Sequence, residues 1–234
     1  MTSLSFRLQK LWIDDKAIAA TEFAIVVPFM LLLYVGGFEL SNGMAINVKV
    51  TATAHSVADM VTQNTQVSAA QMQNILGAAT AIIAPYPVSD SSGNPLLSVT
   101  VSEISSDASG NLTLRWSQSY NGTSFGPGRT SLTNPPLTVP ASFNGTAGNS
   151  SNTNNQNDQV SFIVGEVSYA YTPNLGYTIS GTVNLQDTSW LFPRCSTDSP
   201  ANSSGPAYYD VKYSSTSSTI TTCTCVQHLQ QKTC

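Results

Sequence analysis

One carboxylate stands where a carboxylate is costly. Glu22 opens an uncharged run, Phe23 to Phe38, that reads FAIVVPFMLLLYVGGF. An acidic side chain inside a bilayer costs about 3 kcal/mol, and such residues are usually retained for a task. Two chemistries fit the spacing. Glu22 can simply cap the helix near the lipid headgroups. Alternatively, a cut between Ala17 and Ile18 would give Ile18 a new α-amino group and make Glu22 the fifth residue. Its carboxylate would then lie in the first helical turn, where the macrodipole favours negative charge, and could pair with the amino terminus of a neighbouring subunit. Spacing alone leaves both open.

The other reactive residues lie late. Cys195, Cys223, Cys225 and Cys234 all follow the apolar run. In an oxidising compartment four thiols predict two disulfides, with three possible connectivities. Cys223 and Cys225 are too close to favour each other. One is expected to reach Cys195 and the other Cys234, stapling a Ser/Thr-rich tail to the domain. Closing a loop of about 30 residues contributes roughly 3–4 kcal/mol in the chain-entropy model. With His228 the last three cysteines could instead hold zinc, but their spacing is not Cys-x-x-Cys and oxidation competes. No metal and no cofactor is assigned. The two histidines, His55 and His228, are far apart, and Gly-x-Ser-x-Gly and P-loop patterns are absent. The reading is non-enzymatic.

These residues need an anchor and a domain to hold them. Read as a helix at about 1.5 Å per residue, Ala17–Phe38 reaches about 33 Å, enough for a hydrocarbon core of roughly 30 Å. Arg7, Lys10 and Lys16 precede it, and positive flanks stay cytoplasmic. The exported part is then C-terminal and periplasmic. A cleaved secretory signal would have a shorter apolar core and an early small-x-small site; the first good one, Ala52-Thr53-Ala54, lies far beyond the run. The whole chain carries net charge −4 with nine Lys and Arg, and shows no basic patch for nucleic acid. Its charged fraction is only 9%, Ser, Thr, Asn and Gln taking the place of charges, as in many exported fibre subunits.

After Glu39, Met44, Val48, Ala52, His55 and Asp59, with Val57 and Val61 nearby, recur at helical steps, predicting a stem helix packed on its own domain. Ser68-Ala69-Ala70-Gln71 is a capping box opening a second helix, with Met72, Ile75, Leu76, Ala79, Ile82 and Ile83 as its core stripe and Pro85 as its end. From Leu96 the period becomes two. Leu97, Val99 and Val101, then Leu112, Leu114 and Trp116, predict a β-hairpin, and Val160–Tyr169 a central strand. The polar stretch 144–158 is expected to be a mobile loop. The fold class is α+β: a cytoplasmic basic leader (1–16), a transmembrane helix (17–40) continuing into a stem helix (41–66), and an α+β periplasmic domain (67–194). That domain holds the second helix and an antiparallel sheet. A disulfide-tied tail (195–234) follows.

The stretch DDKAIAATEFAIVVPFMLLL resembles the N-terminus of the TadE/TadG-like family of tight-adherence pilus assembly proteins. The family's basic leader, small residue, Glu-Phe and early Pro fall on Ala20, Glu22, Phe23, Ala24 and Pro28. Further likenesses are Trp116-Ser117, the run Glu166-Val167-Ser168-Tyr169 with Tyr171 and Pro173, and Pro193-Arg194. The family usually has Gly where this chain has Ala17, and prepilin-type peptidases prefer Gly before the cut. The chain has no Asp-x-Ser-x-Ser site, which makes it similar to the shorter TadE type. The resemblance implies a non-enzymatic, pilin-like protein of the bacterial inner membrane, a minor pseudopilin or accessory subunit of a type IV-like pilus. Implied partners are other pilin-like or Tad membrane-complex subunits and a prepilin peptidase. The competing class is a membrane-tethered periplasmic binding or adhesion domain unrelated to pili.

Overall fold

Among the described residues, apolar positions at helical spacing and then at alternate positions build two helices, a five-stranded sheet and a two-stranded one. The computed structural model describes residues 15–106, 112–133, 136–137, 160–173, 181–194 and 211–215. In chain order these form α1 (Asp15–Thr62), β1 (Gln66–Ser68), α2 (Ala69–Ile83), β2 (Leu97–Ser106), β3 (Leu112–Tyr120), β4 (Phe125–Pro127), β5 (Val160–Tyr171), β6 (Val183–Leu191) and β7 (Lys212–Ser214). The strand order of the main sheet is β4-β3-β2-β5-β6, and β1 pairs with β7 separately. The class is α+β, as expected. Two compact units divide the chain: Met1–Ala45 with Thr172–Val183, and Ile46–Tyr171 with Asn184–Cys234.

In the second unit the core lies between the helices and one sheet face. Ile46, Val50, Ala54, Val57, Ala58 and Val61 of α1 are buried. Each fully buried Val or Ile contributes about 1.5–3 kcal/mol relative to exposure, so this row decides which face docks. The expected row is a correction: Met44, Val48, Ala52 and His55 are exposed, and only Val57 and Val61 from that reading are in the core. Small Ala side chains on the docked face allow a close approach, where Gly165 of β5 meets the Ala54 carbonyl and the Ala58 methyl. The stem ends at Thr62 rather than 66. Asn64 Nδ2 donates to the Met60 carbonyl at 2.7 Å, and Arg194 N–H donates to the Thr62 carbonyl at 2.9 Å. The Arg194 guanidinium also pairs with Asp59, which suits the negative end of a helix.

Ser68 caps α2 as expected, its hydroxyl accepting from Gln71 N–H at 3.3 Å. The reciprocal half of the box does not form. Gln71 Nε2 donates to Asn64 Oδ1 at 2.9 Å, and Gln71 Oε1 is buried without a partner. Met72, Ile75, Leu76, Ala79 and Ile83 are buried and Ile82 is half-buried. Lys49 of α1 donates to the carbonyls of Ile82 (3.0 Å) and Ala84 (2.5 Å), closing the C-terminal end of α2.

The hairpin β2–β3 and the central position of β5 match expectation. The alternation along β3 does not. A register shift between Glu103 and Ile104 leaves Arg115 as an extra residue on β3. Trp116 therefore packs on the helix side, whereas Leu112 and Leu114 join Ile104, Phe162 and Val164 on the other face. A bulge of this kind reverses the facing of every residue beyond it.

Glu103, only 3% exposed, accepts from Val211 N–H at 3.1 Å, and Trp116 Nε1 donates to the Val211 carbonyl at 2.7 Å. Two side chains thus satisfy both backbone groups of a fully buried residue just before β7. All four cysteines lie outside the described residues, as does 144–158. The described part of the tail is held by β1–β7 pairing and by these bonds.

The turn into β2 carries a titratable group. Asp90 Oδ1 accepts from Ser92 N–H and Asn94 N–H, and Oδ2 from Asn94 Nδ2, each at 2.8 Å. These bonds, led by the Asn94 side chain, hold the Asp90 carboxyl below its usual range. A lowered folded value means that the turn is fully stabilised above the unfolded pKa of about 3.9 and loosens as pH falls through the folded one. In an NMR titration of the detergent-solubilised chain, the Ser92 and Asn94 amides should therefore hold their shifts at pH 5 and move together only below about pH 4. Movement centred above pH 5 would contradict this turn.

Candidate functional site

Helix formation at the N-terminal end follows from composition. Ala17, Ala19, Ala20 and Ala24 are strong helix formers. The helix continues through Pro28. In a bilayer such a residue is tolerated where neighbours satisfy the freed carbonyl.

Helix residues advance by about 100° each, so Phe23, Phe29, Leu33 and Tyr34 point in several directions. They are 68%, 67%, 72% and 76% exposed. A core helix would hide one face. A helix that is apolar and uncovered all round suits lipid or a bundle of other helices. Ala19–Thr62 is long and apolar enough to cross a membrane. It has the length and composition of an anchor.

Ala17 and Ile18 lie within α1, Glu22 further along it and exposed, with Phe23 beside it. The chain is helical from Asp15 onward, so Glu22 has described helix on both sides; a first-turn position belongs to a chain beginning at Ile18. Glu39 was not singled out from the sequence. It ends the uncharged run, about 25 Å along the axis from Glu22. Glu39 is only 2% exposed, in contrast to exposed Glu22. The signal was available, because an acidic residue at either end of an apolar span carries the same cost.

Among the described residues no three His, Cys, Asp or Glu side chains gather as a metal site. Cys223, Cys225, His228 and Cys234 lie outside them. Glu166, read only as part of a motif, makes a two-pronged ion pair with Arg129: Nε to Oε2 at 2.8 Å and Nη2 to Oε1 at 2.5 Å. Arg129 had no sequence signal, because its partner is distant in the chain.

No curated protein and no solved structure matches the chain. A family comparison does: its match holds Ala17, Ile18, Glu22, Phe23 and Pro28, and stops short of the later likenesses at Trp116, Glu166 and Arg194. Residues 17–59 match the family model of TadE-like proteins, and this chain therefore carries a TadE-like N-terminal segment.

Proposed function

We propose that this chain is a non-enzymatic, pilin-like envelope protein serving the assembly or secretion of a tight-adherence pilus, as a minor pseudopilin or accessory subunit. The observation that carries the reading is a coincidence of position. The TadE-like match at residues 17–59 contains the helix segment that is apolar and uncovered on every side. In this reading the basic leader is cytoplasmic, α1 crosses the inner membrane, and the α+β domain is periplasmic. Partners are other pilin-like or Tad membrane subunits, packed along Phe23–Phe38. Glu22 fixes the register by pairing with a positive group of a neighbour, and Phe23 and Pro28 shape the contact. A prepilin-type peptidase acts between Ala17 and Ile18. Cys195, Cys223, Cys225 and Cys234 form two bridges in the exported tail.

Glu22→Ala tests the central step. It removes the carboxylate from an exposed helix position and leaves the exported core intact. Surface pili counted by electron microscopy should fall at least tenfold, while the anchored domain stays as protease-resistant as the parent's. Equal piliation in both strains would refute the role of Glu22. Intact mass of the membrane-extracted protein supplies the second readout, since a start at Ile18 reports the cut.

A further inference from the structure

The sheet face turned away from the helices carries a groove of about 880 Å³. Strand pairing sets its floor. Thr100 lies opposite Glu166, and Ser98 opposite Ser168, so the side chains of these alternate residues share that face. Asp187 and Thr188 of β6 form one side, and Pro127, Pro136 and Leu137 provide an apolar wall. The volume is within the range of small-ligand sites.

The charges narrow the ligand. The Arg129 side chain is 4% exposed and its guanidinium is committed to Glu166. Arg129 offsets Glu166, so the groove keeps one net negative charge, from Asp187, and a row of hydroxyls, a lining that disfavours phosphate, sulfate and carboxylate ligands. Carboxylates accept only, whereas Ser and Thr hydroxyls both donate and accept. That combination suits a molecule with many neutral hydroxyl groups, whose flat C–H faces can rest on the proline and leucine wall. An added peptide strand would have to pair outside the floor, along the outer edge of β6, because β2 is paired on both sides here.

We propose that this groove is a carbohydrate-binding site for neutral oligosaccharides. The ion pair holds the Glu166 carboxylate in a fixed orientation, so that its remaining lone pairs meet sugar hydroxyls without reorganisation. Asp187 and Thr188 contact the sugar from the edge strand. The site is separate from α1 and functions whether or not the helix enters a fibre.

The test uses the full chain in detergent, on an array of neutral, sialylated and sulfated oligosaccharides and unmodified peptides. Neutral oligosaccharides should be retained and acidic ones not. The affinity of the best neutral binder, measured by calorimetry, should fall at least tenfold in Asp187→Ala/Thr188→Ala, and stay within twofold in Asn74→Ala on α2. Urea midpoints checked beforehand establish that both variants are folded. Should the paired variant be destabilised, saturation-transfer NMR on the parent gives an independent reading, with sugar protons saturated from the groove's Thr and Leu methyl groups. The proposal is overturned if no neutral oligosaccharide binds at millimolar concentration, if acidic glycans or peptides bind instead, or if the folded double variant binds like the parent.

Discussion

Replacing Gly165 with Ala should lower the stability of the α+β domain by about 2–3 kcal/mol, the upper range for overpacking a well-filled core. An added Cβ would lie 2.6 Å from the Ala54 carbonyl oxygen and 3.0 Å from the Ala58 methyl carbon. The nearer obstacle is backbone, held in the helical ladder of α1, and no rotamer change removes it. Ala58→Gly combined with Gly165→Ala should therefore recover little, because it clears only the second contact. Gly165→Val should cost more than Gly165→Ala. Gly126→Ala is the control: nothing lies within 4 Å of its added Cβ, and the change should stay within about 1 kcal/mol of the parent. Urea unfolding followed by the fluorescence of Trp116 and Trp190 reads all four variants. A Gly165→Ala midpoint equal to the parent's would show that helix and sheet do not approach this closely.

The same contact explains what a reader of the sequence could and could not see. Ala54 and Ala58 carry little hydropathy, so the row Met44, Val48, Ala52, His55 is as visible in the letters as the row that docks. Only the small-residue partner on β5, more than a hundred positions away, distinguishes them. Local signals fared better. The Ser68 cap, the α2 stripe ending before Pro85, the β2–β3 hairpin and the β5 core strand depend on neighbours within a few residues, and all are present. β6 lacked a clean signal because Asn184, Gln186 and Thr188 alternate with Leu185, Asp187 and Ser189, leaving no apolar face at its start. β1 and β7 are three residues each and exist through their pairing and the bonds to Val211. The apolar part of α1 was legible almost whole, since an uncharged run with basic residues ahead of it depends on no distant partner. The Arg129–Glu166 pair and the groove were not legible, because they require the registers of β2, β3 and β5.

That pair supports the second large effect. Glu166→Leu should destabilise the domain by about 3 kcal/mol, the low end of the range for breaking a buried ion pair. The low end applies because Glu166 retains 23% side-chain exposure. The loss falls on Arg129. Its guanidinium keeps the Ser131 carbonyl at 3.3 Å, and its backbone N–H keeps the Ser117 hydroxyl at 2.9 Å, but the charge loses the carboxylate that offset its desolvation. Arg129→Met should cost less, about 2 kcal/mol, since the carboxylate left behind can still hydrate at its exposed side. In Arg129→Met/Glu166→Leu no charge is stranded, and the combined loss should fall short of the sum by about 1–3 kcal/mol. The coupling should change little between 0.05 and 0.5 M salt, because a shielded pair is screened far less than a surface one. Additive losses in the cycle, or a coupling that vanishes in salt, would place both side chains in solvent and remove the fixed carboxylate from the groove.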